Sequence, residues 1–132
     1  MAGTKRLLLD THAFLWFIFD DAQLSRAADA AISDEEAELH LSIVSLWEIV
    51  IKSQLNKLSL GMSLPSFFGQ FVESRQLTVL PIDLPALVAY HDLPLHHRDP
   101  FDRLLIAQAR VQGLKIVTSD RSFAGYDVDC LW

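Results

Sequence analysis

The apolar residues of this chain fall into short, nearly uninterrupted runs that alternate with longer segments of helical periodicity. Such runs are typical of buried strands in a parallel sheet. The predicted strands are residues 5–9 (KRLLL), 38–41 (ELHL), 77–82 (LTVLPI), 115–120 (KIVTSD) and 127–132 (DVDCLW). The predicted helices are residues 11–19, 25–32, 43–57, a segment starting near Pro65, a segment from Asp83 to about Tyr90, and a last helix that starts near Pro100 and ends at Gly113. Strands that alternate with helices predict an α/β fold with a central, mainly parallel sheet.

Length and composition narrow the class of protein. A chain of 132 residues, 51% hydrophobic and 21% charged, predicts a single globular domain over residues 1–132. Asp10 and His12 interrupt the apolar N-terminal segment, which argues against a signal peptide, and no stretch is long enough to span a membrane. The single cysteine, Cys130, excludes an internal disulfide and a cysteine-based metal site, which is consistent with the cytoplasm.

The net charge of −6 argues against nonspecific binding of nucleic acid, which usually requires a basic surface. Two explanations remain open: the acids surround a cation, or the protein binds a basic partner. The positions of two acids fit a cation site. Asp10 and Asp120 each end a predicted strand, and ligand sites of parallel sheets lie beyond the carboxyl ends of the strands. Either aspartate alone would more commonly cap a loop.

Two further aspartates open the last predicted helix. Pro100 at the first helical position makes Asp99 the expected N-cap. Asp102 lies above the apolar positions 105, 106 and 109, where an unpaired buried charge is costly, so Asp102 is the better site candidate. The same helical spacing predicts that Arg103, Ala107 and Arg110 form the solvent-facing stripe.

The long central helix carries one narrow polar stripe, formed by Ser45, Glu48 and Lys52. Glu48 and Lys52 at i and i+4 could be a solvent-exposed pair worth roughly 0.2–0.5 kcal/mol. The stripe could equally line a polar cavity. The sequence leaves these two interpretations open.

The acids in the segments LLLDTHAFLW, SIVSLWEIVIK, RDPFDRLLIAQA and IVTSD closely resemble those of a PIN domain, and more narrowly those of a VapC-type toxin of a toxin–antitoxin pair. The resemblance covers essentially the whole chain. It implies a PIN-like three-layer fold in which the first and fourth strands are neighbours. The residues that match the family's four acids are Asp10, Glu48, Asp102 and Asp120, with supporting roles for Thr11 and Thr118 and an outer role, besides the cap, for Asp99.

The resemblance also implies a function. Carboxylates without cysteine or paired histidine suit Mg²⁺, or Mn²⁺, rather than zinc. The expected activity is metal-dependent hydrolysis of RNA phosphodiester bonds, performed by a cytoplasmic homodimer and restrained by a cognate antitoxin. Arg98, Arg103 and Arg121 could contact RNA phosphate. Two alternatives are an aspartate-nucleophile phosphatase, which expects a second aspartate where His12 stands, and a binding module without catalysis.

Overall fold

The computed structural model describes residues 5–96 and 99–132. Its strands are β1 (Arg6–Leu9), β2 (Glu38–Ser42), β3 (Leu77–Leu80), β4 (Lys115–Val117) and β5 (Cys130–Leu131). Its α-helices are α1 (Thr11–Ile18), α2 (Arg26–Ser33), α3 (Ile43–Gln54), α4 (Leu64–Phe68), α5 (Leu84–Asp92) and α6 (Pro100–Gln112). A π-helical turn, Gly69–Glu73, extends α4, and a 3₁₀ turn, Arg121–Gly125, follows β4.

The strands form one sheet in the order β3-β2-β1-β4-β5, and all neighbouring pairs are parallel. The central strand β1 contributes three consecutive buried leucines, as expected for a strand covered on both faces. Leu9 pairs with Leu41 of β2 on one side and with Val117 of β4 on the other. The carboxyl ends of β1, β2 and β4 therefore lie side by side. The predicted parallel α/β fold, with the first and fourth strands adjacent, is confirmed.

Helices cover both faces of the sheet, which gives the predicted three layers. On one face, Leu7 and Leu9 belong to a cluster with side chains of α1, α2 and α4, including Phe14 and Phe67. On the other face, Leu8 and Ile116 pack with side chains of α5 and α6. Helix α3 contributes to both clusters, so it crosses the carboxyl edge of the sheet. No helix within the described part of the chain is long and apolar enough to cross a membrane.

The predicted solvent stripe of α6 was wrong at two of its three positions. Arg103 and Ala107 are only 4% and 0% exposed, whereas Arg110 is exposed. Helix α5 packs along α6 and covers that side. The Arg103 guanidinium donates hydrogen bonds to the Pro94 carbonyl (2.8 Å) and the Tyr126 hydroxyl (3.2 Å). These acceptors allow a charged group to be buried, and they remove Arg103 from the surface where RNA could reach it.

Candidate active site

Asp10 and Thr118 lie side by side where β1 and β4 end. Asp10 follows Leu9, Thr118 follows Val117, and these two preceding residues are paired in the parallel register. The Asp10 N–H donates to the Val117 carbonyl (3.1 Å), which continues the pairing beyond β1. The Thr118 hydroxyl forms a hydrogen bond with the Asp10 carboxylate. Strand pairing thus places the first predicted acid and one predicted supporting threonine in contact.

Asp10 has a structural role as well as a position in the acid cluster. Its Oδ1 accepts a hydrogen bond from the Ala13 N–H (2.7 Å) and caps α1. Asp10 is only 7% exposed. Burial raises the pKa of its carboxyl group, the hydrogen bonds from Thr118 and Ala13 oppose that rise, and the charge of Asp120 adds to it. Asp10 therefore lies in a pocket that already disfavours negative charge.

Asp120 lies on the same edge, just after β4. Its Oδ1 accepts hydrogen bonds from the Ser122 N–H (2.9 Å) and the Ser122 hydroxyl (2.7 Å), and it caps the 3₁₀ turn. Its own N–H donates to the Thr118 hydroxyl oxygen (3.0 Å). Thr118 therefore links the two strand-end acids, because it accepts from Asp120 and is bonded to Asp10. Ser122 was missed by sequence reasoning, although a serine two residues after a capping aspartate is a recognisable turn signal.

Glu48 reaches the same edge from α3. Its Oε1 accepts a hydrogen bond from the Thr11 hydroxyl (2.7 Å), and its Oε2 pairs with the Lys52 ammonium (2.8 Å). The Glu48 side chain is 16% exposed. The structure combines the two interpretations left open by the sequence, since the i, i+4 pair exists and Glu48 also faces the residue that follows Asp10. The predicted supporting residues Thr11 and Thr118 thus each bond to a predicted site carboxylate.

Asp99 and Asp102 have different positions at the start of α6. Asp99 is the N-cap, as predicted, and its Oδ1 accepts from the N–H groups of Phe101 (2.9 Å) and Asp102 (3.4 Å). Asp102 is half-buried in the first turn. Burial, together with repulsion from Asp99 and the other three acids of the predicted site, raises the pKa of Asp102 to about 7. The other three predicted acids are therefore close enough to Asp102 to affect its ionisation.

The donors suit a hard divalent cation in chemistry and charge. They are carboxylate oxygens without cysteine or histidine among them, and Lys52 is the cation paired with one of them. Within residues 5–96 and 99–132, no group of three or more acidic, histidine or cysteine side chains is already arranged to hold a metal ion. The carboxylates would have to draw closer together to enclose one.

Of the three arginines that were predicted to contact RNA, one is buried and one is exposed. Arg98 lies outside the described residues. Arg103 is buried, and Arg121 is exposed beside Asp120.

Sequence reasoning also missed the aromatic residues that precede two of the acids. Trp47 comes directly before Glu48 and Phe101 directly before Asp102, and their rings pack together with a centroid distance of 5.2 Å.

Comparison with known proteins gives consistent results. The family model of the PIN domain matches residues 7–129. The chain is 32% identical over 117 residues to Ribonuclease VapC22 of Mycobacterium tuberculosis, a match that covers 87% of each protein. Among solved structures, it is similar to FitAcB from Neisseria gonorrhoeae (TM-score 0.69, 20% identity, 96% of each chain). It is also similar to DNA-bound VapBC from Salmonella typhimurium (TM-score 0.71, 16% identity, 96% of this chain and 97% of the other). At these identities the two structures support the fold alone.

The raised pKa of Asp102 predicts a pH-dependent loss of stability in metal-free buffer. The unfolded chain releases this proton near pH 4, whereas the folded chain keeps it up to about pH 7. The folded state therefore binds more protons over that window, so the free energy of unfolding falls as pH rises through it. Asp102→Asn has no such proton to lose. Between pH 5 and pH 8, its melting temperature should gain about 2–5 °C relative to wild type.

The measurement is a series of thermal melts in EDTA at several pH values. Asp34→Asn is the matched control, because Asp34 is exposed at the opposite edge of the sheet and caps a local turn through the Glu36 N–H. The difference in melting temperature between Asp34→Asn and wild type should not change with pH over the same window. Parallel pH profiles for Asp102→Asn and wild type would contradict the repulsion inferred at Asp102.

Proposed function

The chain belongs to the PIN domain family, and on that premise we propose that it is a VapC-type toxin, a divalent-metal-dependent endoribonuclease restrained by an antitoxin. The observation that carries the proposal is the group of four carboxylates supplied by separate segments at one edge of the sheet. Burial raises the pKa of Asp102, and the charges of Asp99 and of the other three acids add to that rise. The 32% identity to a protein named a ribonuclease supports the same activity.

We assign the metal-binding role to Asp10, Asp102 and Asp120, with Glu48 as the fourth acid. Carboxylate oxygen donors favour Mg²⁺, and Mn²⁺ would meet the same ligands. When bound, such an ion supplies an acidified water and stabilises negative charge on a phosphodiester. Thr118 and Thr11 are positioning residues in this proposal, because their hydrogen bonds orient Asp10 and Glu48 respectively.

The substrate class follows from charge as well as from similarity. An acidic pocket in a chain of net charge −6 repels the phosphates of RNA. Positive charge held by the four acids would reverse the local sign, so RNA binding and cation binding should be coupled. Arg121 is exposed next to Asp120 and is available to contact a phosphate of the bound strand.

The proposed partner is a cognate antitoxin protein. The similar structures include FitAB and VapBC assemblies and a toxin–antitoxin complex from Klebsiella pneumoniae. We extend that arrangement to this chain and further propose a homodimer acting in the cytoplasm. No observation favours the phosphatase alternative. Asp10, its candidate nucleophile, is buried and hydrogen-bonded, and His12 occupies the position where a second aspartate is expected.

Removing one strand-end carboxylate should reduce RNA cleavage without unfolding the protein. Asp10→Asn and Asp120→Asn each keep a side-chain oxygen that can cap the adjoining helix or turn, while the ligand charge is lost. Each substitution should lower kcat/KM at least about tenfold in Mg²⁺, by analogy with the loss of a metal ligand or its support. The assay is cleavage of total RNA by purified protein, with Asp34→Asn as the control. Wild-type cleavage by both variants would refute the site, and inactivity of every protein, wild type included, would favour the non-catalytic binding module.

Asp99 and Asp102 should differ in function although they are three residues apart. Asn at position 99 preserves the cap, so Asp99→Asn should change kcat/KM by less than about threefold. Asp102→Asn should lower kcat/KM at least about tenfold and leave the fold intact. Both variants are compared by cleavage kinetics and by circular dichroism. Equally large activity losses would instead assign Asp99 to the catalytic cluster.

Mg²⁺ should raise the melting temperature of the wild-type protein by about 3–8 °C, because an ion that binds only the folded state stabilises it. The double variant Glu48→Gln/Asp120→Asn should lose most of this gain. A matched double variant of two exposed aspartates on α2 and directly after it, Asp29→Asn/Asp34→Asn, should keep it. Equal Mg²⁺ responses in wild type and the site variant would show that the ion binds elsewhere.

A further inference from the structure

A large aromatic side chain stands open to solvent at the margin of the acid cluster. Trp47 on α3 is 56% exposed, more than Trp132 at 37%. Tryptophan is enriched at interaction surfaces, where its large ring combines apolar contact area with a polar N–H group. Trp47 also precedes Glu48 on α3, so its ring lies within one helical turn of that acid.

The Trp47 ring is held in place by a neighbour on the other helix that supplies a site acid. Phe101 on α6 packs against it at a centroid distance of 5.2 Å and an interplanar angle of 59°. Phe101 precedes Asp102 as Trp47 precedes Glu48. The aromatic pair therefore bridges α3 and α6 at the same level as their carboxylates. The tilted packing restrains the tryptophan while more than half of its surface stays open.

Base stacking would add binding energy to the phosphate contact available at Arg121, which is exposed beside Asp120. Lys52 is paired with Glu48, and Arg103 is buried. Four further basic residues line a cavity at the opposite edge of the sheet, where the strands begin: Lys5, Arg6, Arg110 and Lys115. Stacking of bases on aromatic rings does not depend on charge and is how many proteins hold single-stranded nucleic acid.

We propose that Trp47, supported by Phe101, is a stacking platform for a base of single-stranded RNA next to the phosphodiester at the acid cluster. This inference rests on the proposed ribonuclease function and specifies its substrate as unpaired RNA. A base inside a duplex has both faces covered by its neighbours and cannot stack on a protein ring. Double-stranded RNA should therefore be a poor substrate and a poor competitor.

The first test measures stacking without cleavage. The Asp120→Asn protein is titrated, in Mg²⁺, into a short single-stranded oligoadenylate RNA that carries fluorescent 2-aminopurine at one position at a time. Binding should quench the fluorophore strongly at one position. Adding Trp47→Leu should abolish that quenching and raise Kd about tenfold, the effect expected for one lost base–ring contact. Trp47→Phe should retain most of both properties.

Phe19→Leu is the matched control, because Phe19 is another exposed aromatic residue, 43% exposed, at the far end of α1 from Asp10. It should leave quenching and Kd unchanged. Unchanged quenching and Kd in Trp47→Leu would overturn the platform. So would a Trp47→Leu protein that binds RNA normally but changes its sedimentation coefficient, since the ring would then contact another protein chain.

The second test separates the platform from the proposed reaction. In cleavage assays, Trp47→Leu should raise KM about tenfold and change kcat by less than about threefold. An abasic nucleotide at the quenched position should raise KM in wild type and have no further effect in Trp47→Leu. Independent, additive effects would overturn the platform and leave the ribonuclease proposal intact. Trp47-dependent quenching in a protein that cleaves no RNA would support the platform and refute the nuclease.

Discussion

The candidate site depends on the parallel pairing of β1 with β2 on one side and β4 on the other. Side chains that follow the three strands emerge at one edge, whatever their separation in sequence. Asp10 and Thr118 meet there although more than a hundred residues lie between them. The polar residues that flank the buried leucines of β1 oppose a shift of register, because a shift by one residue would bring Arg6 or Asp10 into a core position. Core packing therefore determines the geometry of the acid cluster.

Two acids of the cluster, Asp10 and Asp120, and their neighbour Asp99 have structural roles as caps. Asp10 caps α1, Asp99 caps α6, and Asp120 caps the turn after β4. Each cap satisfies backbone N–H groups and offsets part of the cost of bringing negative charges together. At Asp102, burial and neighbouring charge raise the pKa to about 7. Structural and chemical interpretations of a carboxylate at a helix start are therefore not exclusive.

The sequence was sufficient for the strands, their parallel arrangement and the Asp99 cap, because these depend on local periodicity and local hydrogen bonding. It was insufficient where a side chain's surroundings come from distant segments. Arg103 was assigned to solvent by helical spacing, but Tyr126 and the Pro94 carbonyl provide buried acceptors. Likewise, the spacing of Glu48 and Lys52 allowed their pair as one of two interpretations, but it gave no sign of the hydrogen bond from Thr11, which comes from another helix. The Trp47–Phe101 contact joins two helices in the same way.

The proposed function requires that positive charge enter the cluster. This requirement links the three proposed ligands, which are a divalent cation, a partner protein and RNA. A divalent cation or a basic side chain from a partner would relieve the same repulsion at Asp102. Because both would occupy the space between the same carboxylates, binding of one should oppose binding of the other. RNA differs, since its phosphates need the cation while its bases need only an exposed ring such as Trp47. A partner that places a basic group among the acids would therefore weaken catalysis by displacing the ion, even with the aromatic platform left open.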